Sequence, residues 1–251
     1  MRKGIILQAR DFEILRSIYE STVISFAQIK NRHFKATNIQ TASNRMGKLS
    51  KGGFVKSYRL GLVIYLGSPR QVNRVYTITS IGIQALETQF PNTLQRFDPV
   101  PIQSHSLMHD ILLNDVHEKL GEENREQQIV NAKNLKILPS RMDQIPDLVM
   151  EGENGELNHA IELELSMKSL KRYREIITNY RLSSRWKRVL FICGSDSIEY
   201  KIRSIISGSM VSLGTNDGPL GKFHFQKLSE LLPIPIPPSL NAPSYREQKI
   251  A

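Results

Sequence analysis

The run Ile145-Pro146-Asp147-Leu148-Val149-Met150-Glu151 leads into a turn carrying Gly152, Asn154 and Gly155, and then into Ala160-Ile161-Glu162-Leu163-Glu164-Leu165-Ser166-Met167-Lys168. Asp147 follows a proline at the head of an apolar run. After the turn, Ile161, Leu163 and Leu165 alternate with Glu162 and Glu164. A period of two places both glutamates on one face of a strand, and a hairpin brings that strand beside Asp147. Three carboxylates converging at the end of a sheet repel one another unless a cation lies between them. An all-oxygen donor set suits Mg²⁺ or Mn²⁺ rather than zinc. Lys168, four residues past Glu164, supplies a positive charge beside such an ion. The same spacing also fits an antiparallel strand whose glutamates simply face water.

Around this stretch, 251 residues with 40% hydrophobic content are enough for two domains with proper cores. No apolar run reaches the length of a membrane span, and the opening Met1-Arg2-Lys3-Gly4-Ile5-Ile6-Leu7 is too short in its apolar part for a signal peptide. The one cysteine, Cys193, lies in the apolar run Val189-Leu190-Phe191-Ile192 and reads as a small buried hydrophobe. It excludes an internal disulfide framework and fits a reducing compartment, so a cytoplasmic location is expected. The net charge of +10 is unevenly spread. Residues 1–100 hold 15 Lys/Arg against 5 Asp/Glu, whereas residues 101–251 hold 19 of each. A polyanion-binding module joined to a near-neutral one is the implied organisation.

In chain order, Asp11 is expected to cap a helix with Phe12, Leu15, Ile18 and Tyr19 at helical spacing. Ser25 with Gln28 forms a capping-box pattern opening a helix from Phe26 to His33. Thr37 or Asn38 starts a third helix to about Leu49, with Ile39, Ala42, Met46 and Leu49 inward and Gln40, Thr41, Asn44, Arg45 and Lys48 outward. Gly52 and Gly53 end it. Two β-prone runs follow, Phe54 to Leu66 and Arg74 to Thr79, with the loop Gly67–Asn73 between them, and Ser80 opens a short helix. Three helices and a hairpin in a basic segment predict a winged helix-turn-helix over residues 1–90. Its third helix would enter the major groove, with Gln40, Asn44, Arg45 and Lys48 reading bases or holding phosphates. Arg59, Arg70 and Arg74 on the hairpin would touch the DNA backbone or minor groove.

Residues 91–104, with Pro91, Pro99 and Pro101, read as a linker. From Ser106 a helix carries Met108, Ile111, Leu112, Val116 and Leu120 as its apolar stripe, with His109, Asp110, Asn114 and Glu118 elsewhere. Strands are expected near Gln128–Ile137, at Asp147 and at Glu162/Glu164. A helix follows with Leu170, Tyr173, Ile177 and Tyr180 on one seam and Lys171, Arg172 and Arg174 on its flank. A buried strand at Lys187–Gly194, a helix from Ser197 to about Ser207, and a strand near Phe223–Leu228 complete a domain over residues 105–232. The Pro-rich segment 233–251 reads as a flexible tail.

Helix, three strands, helix, strand, with Asp147 on the second strand and Glu162/Glu164 on the third, resembles the PD-(D/E)xK nuclease superfamily, and the fold class is therefore α+β with an α/β restriction-endonuclease-like second domain. The usual lysine of that motif is replaced here by Glu164, and Lys168 stands as a migrated substitute. The winged helix, His109-Asp110 with Asn114-Asp115, Pro146-Asp147 and Glu162-Leu163-Glu164 before a Lys/Tyr-rich helix together look like the replication-relaxation and MobC-type mobilisation proteins of plasmids and integrative elements.

That resemblance implies a metal-dependent DNA-nicking relaxase or nuclease acting at an origin-type site, with other mobilisation or replication proteins as further partners. Asp147, Glu162 and Glu164 would hold Mg²⁺ or Mn²⁺, and Lys168 would stabilise developing negative charge. Lys171, Arg172 and Arg174 would hold the DNA backbone, and His109 and Asp110 would support the site from behind. Tyr173 and Tyr180 lie on the apolar seam and read as core residues rather than nucleophiles. The rival expectation is a non-enzymatic DNA-binding regulator of replication, transfer or transcription whose nuclease-like domain is inactive.

Overall fold

Two sheets, each served by its own helices, make up a mixed α+β chain. The computed structural model describes residues 5–60, 74–94, 98–103, 106–135, 144–210 and 220–232. The described residues divide into two units. The first extends to Asp115 and takes in Asn134; the second covers Val116–Lys133 and the residues from 144 onward.

In the first unit, α1 (Ala9–Ser21), β1 (Ile24–Ser25), α2 (Phe26–His33) and α3 (Ile39–Lys51) precede β2 (Val55–Arg59), β3 (Arg74–Ile78) and α4 (Ser80–Gln89). The three strands are antiparallel in the order β1-β3-β2. The capping box at Ser25 and Gln28 forms as expected: the Gln28 N–H donates to Ser25 Oγ at 3.2 Å and the Ser25 N–H to Gln28 Oε1 at 3.0 Å. Asn38 caps α3 by accepting from the Thr41 N–H at 2.8 Å. The α1 start differs from expectation. Gln8 is the N-cap, and Asp11 sits one turn in, its carboxylate accepting the Gln8 N–H at 2.6 Å. Leu15, Ile18, Ala42, Met46 and Leu49 are buried as their spacing predicts. Ile39 is not: it is 64% exposed, because as the first residue of α3 it precedes the turn that packs on the core. The short strand β1 had no sequence signal, being two residues long. The loop Gly67–Asn73, with Arg70, lies outside the described residues.

The helix α5 (Leu107–Glu123) is shared, through Asp115 with the first unit and from Val116 with the second. Its burial is broader than the expected stripe, since Ile111, Leu112, Leu113 and Asn114 are all buried in succession. Asn114 is buried because it serves the backbone, its amide donating to the Val23 carbonyl at 2.7 Å.

The second unit continues with β4 (Ile129–Asn131), a single 3-10 turn, β5 (Leu148–Glu151), β6 (Leu157–Glu164), α6 (Leu170–Leu182), β7 (Arg188–Cys193), α7 (Asp196–Met210), β8 (Phe223–Lys227) and the short α8 (Leu228–Leu231). Sheet order is β4-β5-β6-β7-β8. The first three strands pair antiparallel, and β6, β7 and β8 pair parallel. A meander needs only tight turns, whereas a parallel step needs a crossover, and α6 and α7 supply these. The β5–β6 turn is closed by Gly152 N–H to Glu156 O at 2.8 Å, with Gly155 at φ 74, a left-handed conformation that favours glycine. Cys193 is buried at the end of β7, and burial pushes its thiol up to about 12. The 233–251 tail lies outside the described residues.

Candidate functional site

The β5–β6 register sets the site. Leu148 pairs with Ile161, so Asp147, one step earlier, lies level with the end of β6 that carries Glu162 and Glu164. The Asp147 backbone N–H donates to Ile161 O at 3.0 Å, and its Oδ2 accepts the Leu163 N–H at 2.8 Å. The aspartate is thereby tied to the residue between the two glutamates. Both glutamates share a strand face, as the alternation predicts. That face is not solvated: Glu162 is 4% and Glu164 1% exposed, because β6 is the central strand and α6 packs across it.

Each glutamate is matched by a tyrosine of α6. Tyr180 donates its hydroxyl to Glu162 Oε1 at 2.5 Å, and Gln144 Nε2 donates to the same oxygen at 3.1 Å. Tyr173 donates to Glu164 Oε2 at 3.4 Å, and Lys168 forms an ion pair with Glu164 Oε1. Burial, reinforced by the charge of Asp147, pushes the Glu162 carboxyl up to about 8. Burial also raises Glu164, against the opposing pull of Lys168. Both phenols are shifted upward by burial and by the carboxylates they face. The upward shift of Glu162 favours its protonated form near neutral pH.

In kind, this donor set fits a hard divalent cation: three carboxylates within electrostatic reach of one another and a repulsion that a cation would relieve. In arrangement it is not preassembled. Among the described residues no three His, Cys, Asp or Glu side chains are grouped to hold a metal ion. Binding would require the glutamates to exchange tyrosine and lysine partners for the ion.

Tyr173 and Tyr180 are fully buried on the seam of α6, as read from the sequence, yet their hydroxyls engage the carboxylates, which apolar periodicity could not show. The available signal was their seven-residue spacing, two helical turns, opposite two glutamates on one strand face. Leu170, expected on the same seam, is 43% exposed; it is the first residue of the helix, and Ile176 takes the inward place. Lys171, Arg172 and Arg174 line the outer face of α6, with Arg172 at 3.5 Å from Glu175. His109 and Asp110 fall in the first unit, where the buried Asp110 accepts from Ser106 Oγ at 3.2 Å and lies 3.6 Å from His109 Nδ1.

On α3, Gln40, Asn44 and Lys48 are exposed along one face, and Gln40 Nε2 donates to Asn44 Oδ1 at 2.8 Å. Arg45 is turned aside. Its Nε donates to Asp11 Oδ1 at 2.6 Å and its Nη2 to Asp11 Oδ2 and to Ile6 O, so the guanidinium is held against α1. On the hairpin, Arg59 is exposed and lies opposite the half-buried Arg74.

With this geometry in place, comparison supplies the class. The sequence matches the replication-relaxation family over residues 15–189, and the chain belongs to that family. The match spans both units and ends just beyond the start of β7. Membership suggests a role in plasmid replication or mobilisation and an interaction with DNA. Neither a curated protein nor a solved structure matches the chain. Among the described residues no helix is long and apolar enough to cross a membrane.

Proposed function

We propose that this protein binds an origin-type DNA site of a mobile element through its first unit and nicks DNA with the carboxylate cluster of its second. The observation that carries the reading is the joint placement of Asp147, Glu162 and Glu164 at one end of β5 and β6, with Lys168 on Glu164. The order α5-β4-β5-β6-α6-β7, with an antiparallel meander followed by a parallel crossover, supports reading the second unit as a PD-(D/E)xK nuclease-like domain. The succession α1-α2-α3-β2-β3 and the basic charge of residues 1–100 support a winged helix.

Asp147, Glu162 and Glu164 would hold Mg²⁺ or Mn²⁺. Such an ion, when bound, polarises a phosphoryl oxygen and lowers the pKa of a bound water. For that role Glu162 must give up its proton, and the Tyr180 hydroxyl already favours the ionised form by donating to it. Lys168, 38% exposed, can turn from Glu164 towards a phosphate and offset negative charge there. Lys171, Arg172 and Arg174 supply a cationic flank for the DNA backbone, whose grip weakens with salt.

A specific observation favours a second reading, a DNA-binding regulator with a silent nuclease-like domain. Each carboxylate already has a protein partner, both glutamates are buried, and the usual lysine position carries Glu164. The decisive assay is nicking of supercoiled plasmid bearing the element's origin region, in Mg²⁺, Mn²⁺ or EDTA. Metal-dependent relaxation abolished by Asp147→Ala and by Glu162→Ala, with DNA binding intact, supports the nuclease. Tight sequence-specific binding without cleavage in any metal assigns the chain to the regulators.

A further inference from the structure

The outward face of α3 differs in composition from what the sequence promised. Arg45, the side chain best suited to guanine, is bound to the buried Asp11 and to the Ile6 carbonyl. Thr41 donates its hydroxyl to Asn38 Oδ1 at 2.9 Å and is occupied in the cap. Ile39, Gln40 and Asn44 remain in the first turn and a half, with Lys48 one turn further on.

Gln40 and Asn44 are joined by their own hydrogen bond. Whichever way the two amides are oriented, that bond leaves one amide NH₂ and one amide oxygen facing outward. A donor beside an acceptor complements adenine, which presents N7 as acceptor and N6 as donor; guanine presents two acceptors, N7 and O6. Ile39, 64% exposed at the N-terminal end of the helix, offers an apolar surface of the kind that packs against a thymine methyl. Such exposure of a β-branched aliphatic side chain contributes nothing to the core. The exposed Lys35, Lys48, Lys51 and Lys56 provide the matching charge for a polyanion.

We infer that α3 is a reader of A·T pairs in the major groove of duplex DNA, with the Gln40–Asn44 amide pair addressing adenine and Ile39 the neighbouring thymine methyl. This rests on the DNA-binding reading of the first unit and adds to it the class of base pair recognised. Lys48 contributes to affinity without choosing the base. Arg45 is a positioning residue that holds α3 on α1.

The test is selection of bound duplexes from a randomised pool by the full chain, followed by anisotropy titrations on the selected core and on cores with each A·T pair replaced by G·C. An A·T-containing core is expected, with roughly ten- to a hundredfold weaker binding when the pair facing the amides is changed. Asn44→Ala and Ile39→Ser, both at exposed positions, should erase that discrimination, bringing the affinities for the selected core and for its G·C-substituted versions together. Lys48→Ala should weaken all duplexes alike. A selected core of G·C pairs, or discrimination untouched by both Asn44→Ala and Ile39→Ser, overturns the inference but leaves DNA binding standing. Absence of binding to any duplex at low salt overturns both.

Discussion

The two units each bury acidic side chains, and they treat them in opposite ways. In the first, Asp11 is wholly buried, and Arg45 meets both of its oxygens through two guanidinium nitrogens. One acid faces one base, and the Gln8 N–H completes the set. Hydrogen bonding to Asp11 raises Arg45 above its ordinary value, as expected for a pair that favours its charged form. In the second, Glu164 is paired with Lys168, while Tyr173, Tyr180, Gln144 and the Leu163 N–H are neutral donors to Glu164, Glu162 and Asp147. The first arrangement is electrically closed and serves the packing of α3 on α1. In the second, burial, reinforced by the charge of Asp147, favours a proton on Glu162 instead.

The largest expected effect comes from opening the closed pair. Arg45→Ala leaves Asp11 buried without its cation and should cost about 3 kcal/mol in urea unfolding of the full chain. Pairing it with Asp11→Asn should recover part of that loss. If Arg45→Ala instead leaves stability unchanged while weakening DNA binding, the arginine is a DNA contact and the contrast between the units fails.

The cluster around Glu162 should respond with the opposite sign. Glu162 is raised from 4.5 to about 8 in the folded protein, so the folded state binds a proton more tightly than the unfolded chain. Its contribution is complete below pH 4.5 and is lost as pH rises through about 8. Glu162→Gln mimics the protonated form and should flatten that decline, stabilising the protein at pH 8 by about 2 kcal/mol, read from thermal unfolding across pH. A wild-type stability that climbs between pH 5 and pH 8 through the titration of this group would contradict the assignment. Divalent cation added at pH 8 should raise the wild-type Tm and leave that of the Gln variant unaltered.

Smaller changes separate the partners. Tyr180→Phe removes the hydroxyl that favours ionised Glu162, so the alkaline decline should move to higher pH, with a cost of about 1 kcal/mol at neutral pH. The least effect on stability is expected from Lys168→Met, under about 1 kcal/mol because the lysine is partly solvated. Nicking, if present, should fall far more than stability in that variant. Equal, small losses in both would reduce Lys168 to a surface partner of Glu164.

Local rules made much of this legible. The Ser25–Gln28 box, the Asn38 cap, the β5–β6 hairpin and the face shared by Glu162 and Glu164 depend on residues within a few positions of one another, and periodicity reports those relations directly. Long-range relations escaped. Nothing at Arg45 announces Asp11, 34 residues earlier, and nothing at Tyr180 announces Glu162, 18 residues back. An outward-facing helical position and one that reaches across to a neighbouring helix look alike when only one helix is read. The two-residue strand β1 is likewise defined by its partner β3 rather than by its own composition.

By itself, then, the sequence determined most of the run of helices and strands, the basic character of the first hundred residues, and the strand face that Glu162 and Glu164 share, because these follow from spacing and charge along one chain. The tertiary structure alone decided that Glu162 and Glu164 are buried, that tyrosines answer them, that Arg45 is withheld from the outer face of α3 and that Ile39 is left upon it. Burial and partner choice depend on which surfaces are brought together, and that information is spread across elements far apart in the chain.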